Sequence, residues 1–138
     1  MTLTVQPVPT EFINQLWEKV EPFIKNAEKY FGEAEYTSEQ IKVYLVTGQW
    51  LLLVIADEHK EIHGSITVSF INYPNARVAF ITSIGGKLIA TPETFKQLKE
   101  ICKGNGATRI QGIAKEAVAR LWKRFGFENK AILVEVKL

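Results

Sequence analysis

Few side chains in this 138-residue sequence can make or break a bond, and they are widely spread. His63 opens an alternating run and titrates in the range useful to a general base. His59 falls in the polar turn just before it. Thr82 and Ser83 lie late in another strand-like run; their hydroxyls can orient a water but are poor bases unaided. Gly85, Gly86 and Lys87 follow, a backbone and charge suited to a small anion nest, or more plainly to turning the chain. Cys102 falls on the apolar side of a helical repeat, as an inert buried thiol does. No Ser/His/Asp order, phosphate-binding loop or metal-type Cys/His spacing is present.

The elements that must position these groups are legible from period and punctuation. Leu3 to Val8 alternates like an edge strand carrying prolines. Thr10 is the expected cap of a helix whose apolar stripe is Phe12, Leu16, Val20, Phe23, Ala27 and Tyr30, with a kink or break at Pro22 and a stop at Gly32. Thr37 or Ser38 caps a short helix burying Ile41, Tyr44 and Leu45. Trp50 to Ala56 reads as a fully covered strand, Ile62 to Ile71 as its hairpin partner, and Arg77 to Ile84 as a third. Thr91-Pro92-Glu93 is a cap, a proline at the first helical position and an acid in the first turn; Phe95, Leu98, Ile101 and Cys102 face inward. A strand (Thr108 to Ile113), a helix (Lys115 to Phe125) and an alternating strand (Ala131 to Val136) complete the order.

Composition bounds the class. The chain is 46% hydrophobic and 23% charged, ordinary for one domain over residues 1–138. No run reaches the ~18 apolar residues of a membrane span, and the N-terminus lacks the basic-then-apolar order of a signal peptide. A single cysteine suits a reducing cytoplasm. Charge is uneven: residues 1–86 hold 6 Lys/Arg against 10 Asp/Glu, whereas 87–138 hold 11 against 5. A basic second half attracts a phosphorylated ligand, a nucleic acid or an acidic partner, or is simply a set of solvated helix faces.

This order resembles the GNAT superfamily of acyl-CoA-dependent N-acyltransferases. The likeness rests on the hairpin LLLVIADEHKEIHGSITVS, on the helix leading into GATRI, and on VARLWKRFGFE, similar to that family's A-x-x-L-Y-x-x-x-G-F segment. It implies an α+β (mixed α/β) fold, with a mostly antiparallel twisted sheet, flanking helices and the order β-α-α-β-β-β-α-β-α-β. It also implies acetyl-CoA in a gap between the fourth and fifth strands. Ile81, Thr82, Ser83 and Ile84 would pair with pantetheine, Gly85, Gly86 and Lys87 would meet the pyrophosphate, and an amine would accept the acetyl group. Ser83 and His63 are the candidate catalytic residues, and no metal is called for. Three departures stand out. The family's Q/R-x-x-G-x-G/A spacing is absent, Trp122 replaces its acidic tyrosine, and Lys115 stands where an asparagine is common. A phage-type subset with a G-G-K turn and a basic helix is similar too. It implies the alternative, a non-catalytic structural, assembly or regulatory component, in virion or host cytoplasm, that binds protein or nucleic acid through Lys115, Arg120, Lys123 and Arg124. A homodimer paired through the final strand is a further expectation.

Overall fold

Hydrophobic alternation and two tight turns build the centre of the sheet. The computed structural model describes residues 1–28 and 35–138. Trp50–Ala56 (β2) pairs antiparallel with Ile62–Tyr73 (β3), and β3 with Ala76–Gly86 (β4). Thr4–Pro7 (β1) lies antiparallel on the outer side of β2. Arg109–Gly112 (β5) lies parallel to β4, because the helix Pro92–Gly104 (α3) carries the chain back across the sheet before it begins. The sheet order is β1-β2-β3-β4-β5.

Each face of the sheet has its own core. On one, Leu53, Ile55, Ile66, Val68 and Ile81 meet Phe95, Leu98 and Cys102 of α3, with Trp122 from the helix Glu116–Trp122 (α4) and Phe125 from the 3-10 turn after it. On the other, Leu52 and Val54 meet Ile13, Trp17, Val20 and Ile24 of Ile13–Glu28 (α1), and Ile41 and Leu45 of Ser38–Val46 (α2). Each such aliphatic side chain contributes about 1.5–3 kcal/mol when fully buried.

Two helix starts follow the expected chemistry. Thr37 caps α2 as half of a capping box: its hydroxyl accepts from the Gln40 amide at 3.2 Å, and Gln40 accepts from the Thr37 amide at 2.9 Å. Thr91 caps α3 with Pro92 at its first position.

Four expectations are corrected. Thr10 makes no side-chain cap; it opens a 3-10 turn, Thr10–Phe12, that runs into α1. Pro22 neither ends nor splits α1. It lies on the solvent face with Glu18, where water can reach the carbonyl it leaves without its helical partner. The buried stripe of α1 is Ile13, Trp17, Val20, Ile24 and Ala27, whereas Phe12 is exposed and Leu16 and Phe23 are half-buried. The stripe is thus rotated by about one residue, with Ile13, Trp17 and Ile24 on the seam; Tyr30 and Gly32 lie outside the described residues. Finally, Ala131–Val136 joins no strand, so among the described residues the sheet has five strands rather than six. Alternation supplies a side-chain period, but a strand forms only where a neighbour accepts its ladder bonds.

Candidate functional site

The β4–β5 ladder runs only from Val78↔Arg109 to Ile81↔Gly112. β4 continues through Thr82–Gly86 without a neighbour on that side among the described residues. On its other side the register shifts: Thr67 faces Ser83 and Val68 faces Ile81, so Thr82 has no opposite residue. Such a bulge bends the strand and raises its twist, and it falls where the ladder to β5 stops. The two strands therefore part into a wedge. One wall of the wedge is a free main-chain edge, and Gly112 lies at its base.

The hydroxyls singled out in the sequence join a third that was not. Thr67 Oγ1 lies 2.7 Å from Thr82 Oγ1 and 2.6 Å from Ser83 Oγ, and Thr82 Oγ1 also donates to the Thr67 carbonyl at 3.1 Å. Ser83 is 7% exposed, on the sheet face shared with Ser65 and Thr67. Its hydroxyl is spent on structure rather than presented to the wedge. Ser65 Oγ is buried without a partner among the described residues. Only the bulge marks out Thr67, and a bulge has no sequence signal beyond a hydroxyl-rich strand.

Gly85 and Gly86 lie within β4, opposite Ser65 and Gly64, rather than in a loop. A Cβ on Gly85 would sit 2.4 Å from the Phe23 carbonyl oxygen, so α1 rests its backbone directly on this glycine. Gly86 adopts φ +144, and its neighbour is the His63 carbonyl. Several amides in position to meet an anion are already spent. The Lys87 amide donates to His63 O at 3.3 Å, that of Thr91 to Ile89 O at 2.9 Å and that of Thr94 to Thr91 Oγ1 at 3.1 Å; Pro92 has none. Among the described residues the amides of Leu88–Ala90 and Glu93 have no acceptor, and the Lys87 side chain is exposed. Leu88 takes the left-handed φ of 60 with its side chain in solvent.

His63 lies at this same end of β4. Its Nε2 is 2.8 Å from Asp57 Oδ2, while Asp57 Oδ1 accepts the amides of His59 and Glu61 at 2.8 and 3.0 Å. Possible ligand atoms of Asp57, Glu61 and His63 lie within 4.8 Å of one another, but the hydrogen bonds between ring, carboxylate and amides already account for the arrangement. The bond from His63 chiefly, aided by those two amides against the opposing effect of burial, holds the Asp57 carboxyl below its ordinary 3.8. A lowered folded-state value stabilises the fold above the unfolded pKa, and that contribution is lost as pH falls through the folded one. Thermal melts should therefore show a loss of stability below about pH 4 that Asp57→Asn flattens. An unchanged acid limb in Asp57→Asn would show the pair to be inconsequential.

Trp122 is buried against Phe95, Phe127 and Gly112. Burial pushes the Cys102 thiol up to about 11, so it is inert at neutral pH. His59, Lys115, Arg120, Lys123 and Arg124 are exposed. A cavity of about 520 Å³ opens at the opposite end of the sheet from Gly85, between Pro7, Trp50, Phe70 and Arg77. Its one charged lining residue, Arg77, stacks on Phe70 at 4.5 Å and donates to Asn72 and Asn105, so nothing there is poised for chemistry. The wedge, where free backbone meets positive charge, is the better candidate. A shallower recess of about 280 Å³ beside the start of α3 is lined by Lys96, Lys99 and Arg124 and adds to that charge. No helix among the described residues is long and apolar enough to cross a membrane.

No protein-family model matches the chain, and no curated protein matches it in sequence. Solved structures match its fold throughout. A "predicted acetyltransferase" from Clostridium acetobutylicum, with acetyl-CoA, is 16% identical, with 99% of this chain and 96% of that one covered at a TM-score of 0.66. Glucosamine-6-phosphate N-acetyltransferase from Arabidopsis thaliana is 14% identical, with 99% of both chains covered at 0.61. An aminoglycoside acetyltransferase from an uncultured soil metagenomic sample, in complex with sisomicin, is 10% identical, with 99% and 96% covered at 0.72. The chain has the α+β fold of the GNAT acetyltransferases.

Proposed function

We propose that the protein is an acetyl-CoA-dependent N-acetyltransferase acting on an amine. The observation that carries this reading is the wedge: Thr82–Gly86 offers an unpaired row of amides and carbonyls that ends beside Lys87 and the start of α3. An extended arm with amide groups can add to that edge as a strand would. The anionic end of the same ligand then reaches the free amides of Leu88–Ala90 and Glu93, the Lys87 ammonium and the helix N-terminus. The residues present fit such a ligand along its arm, and they hold its phosphates more by charge than by an amide cradle.

Bond making is then governed by position. The amine lone pair attacks the thioester carbon, the C–S bond breaks to release a thiolate, and the proton lost from nitrogen goes to solvent and thence to sulfur. A thiol of ordinary pKa about 8.5 leaves without strong acid assistance. Among the described residues no strong acid or base lines the wedge: Ser83 is tied to Thr67, Trp122 has only an indole N–H, and His63, paired with Asp57, lies at the strand end beyond Gly86. Catalysis of this kind rests on orientation, whose effect reaches ~10⁵–10⁸ M in effective molarity. Thr82, half-buried at the bulge, and Ser83 are both bonded to Thr67, so the three hydroxyls together fix the backbone where the wedge opens.

The spent amides at Lys87 and Thr94, with the indole at position 122, favour a second reading: a GNAT-fold binding protein, as in the phage-type subset, whose exposed Lys115, Arg120, Lys123 and Arg124 meet an acidic protein or a nucleic acid. Calorimetric titration with acetyl-CoA and with free CoA separates the two. Saturable binding of one ligand per chain, weakened several-fold by Lys87→Glu, is expected. Absence of heat at millimolar CoA would sink the transferase reading and leave the binding protein.

A further inference from the structure

At the end of the sheet away from Gly85, one positive charge has no acidic answer among the described residues. Arg77 lies at the start of β4 and lines the cavity of about 520 Å³. Its guanidinium is fixed by three neighbours. The Phe70 ring of β3 lies under it at 4.5 Å, Nε donates to the Asn105 carbonyl at the end of α3 at 2.9 Å, and Nη1 donates to Asn72 Oδ1 at 2.8 Å. The stem runs past Gly106, where a Cβ would stand 3.6 Å from Arg77 Cδ. Nη2 keeps two N–H groups without an acceptor among the described residues, and no carboxylate there pairs with the charge. A guanidinium already held in place loses little further freedom when it takes an anion.

The other walls are mainly apolar. Pro7 and Pro9 come from the end of β1 and the turn after it, and Trp50 and Leu51 begin β2. The Trp50 indole is set in turn by Tyr44, stacked on it at 4.5 Å, and by Tyr36, edge-on at 4.8 Å. The volume falls within the range of about 300–1,000 Å³ common to small-molecule sites, whose pattern is apolar walls with a few fixed polar groups. One cation balances one negative charge. A monocarboxylate with an apolar body therefore suits the site, whereas a phosphate dianion would bring a second charge with no partner.

We propose that this cavity is a binding site for a small organic monocarboxylate. The carboxylate accepts from the free N–H groups of Arg77, and the apolar body lies against Trp50, Leu51 and the two prolines. The site stands at the other end of β4 from the wedge, so its ligand and one held in the wedge do not compete. The proposal does not rest on the transferase reading, and a failed CoA titration leaves it standing.

Amide NMR spectra of the full chain titrated with sodium phenylacetate test it. Shifts are expected at Leu51, Phe70, Arg77 and Gly106, saturating with a dissociation constant of about 1 mM, as suits a ligand of about ten non-hydrogen atoms. Phenylacetamide, the same body without the charge, should bind about ten-fold more weakly, and equimolar inorganic phosphate should not displace phenylacetate. Arg77→Gln should weaken phenylacetate by about ten-fold and erase its advantage over the amide. Because the acid and the amide are compared on the unaltered protein, the test survives a variant that fails to fold. Absence of saturable shifts at those four residues overturns the proposal, as do shifts confined to Lys87 and the start of α3. Equal binding of acid and amide, displacement by phosphate, or a folded Arg77→Gln that binds undiminished overturns it as well.

Discussion

Gly85→Ala should lower the melting temperature by about 10 °C and abolish the heat of CoA binding. The added methyl would lie 2.4 Å from the Phe23 carbonyl oxygen and 3.2 Å from its carbon, both main-chain atoms of α1. No rotamer change relieves such a contact; the helix must lift from the sheet. Overpacking of this kind costs about 1–3 kcal/mol even where neighbours can give. Ile13, Trp17, Val20 and Ile24 would lose their seat together because they share that helix. The free edge Thr82–Gly86 shifts with it, so the proposed ligand site is lost through the same movement. Gly104→Ala is the matched control, since a Cβ there meets nothing within 4 Å. It should leave the melting point unchanged or raise it by a degree or two, because the unfolded chain loses freedom. If Gly85→Ala melts like Gly104→Ala, the close approach of α1 to β4 is not the constraint described above.

Trp122→Ala should cost about 3–5 kcal/mol, roughly 10–20 °C of melting temperature. Three rings converge on this indole's surroundings. Phe95 meets it edge-on at 6.0 Å, Phe127 tilts on it at 5.2 Å, and Phe95 stacks on Phe125 at 4.3 Å. Truncation leaves a cavity bounded by α3, α4 and Gly112, where the wedge begins. Trp122→Tyr keeps an aromatic plate and should melt well above Trp122→Ala, while asking the core to satisfy a hydroxyl. Thermal melts of the three proteins decide it. A loss under about 1 kcal/mol in Trp122→Ala would show the indole to be peripheral to the core.

What could be read from the chain alone was whatever a few neighbouring residues encode. Thr37 with Gln40 and Thr91 with Pro92 specify their helix starts because donor and acceptor lie within one turn. Trp50–Ala56 announces a covered strand by being apolar on both faces, and the inert setting of Cys102 follows from its helical neighbours. The proposal that Ile81–Lys87 holds a ligand came from the order of the elements around it.

Tertiary structure alone decided how that region is built. Two glycines that read as a turn or a nest prove to be strand residues, one of them the bed for α1, a demand made by a helix some sixty residues away in sequence. Thr67 joins Thr82 and Ser83 only because β3 and β4 slip register at the bulge. His63 meets Asp57 only across a hairpin turn. Ala131–Val136 shows the converse: its alternation satisfies one chain's half of a strand, and the other half is a neighbour's row of hydrogen bonds, which no single segment can encode. Local sequence determined the elements of this protein, and the contacts between distant elements decided which of its backbone groups stay free for a ligand.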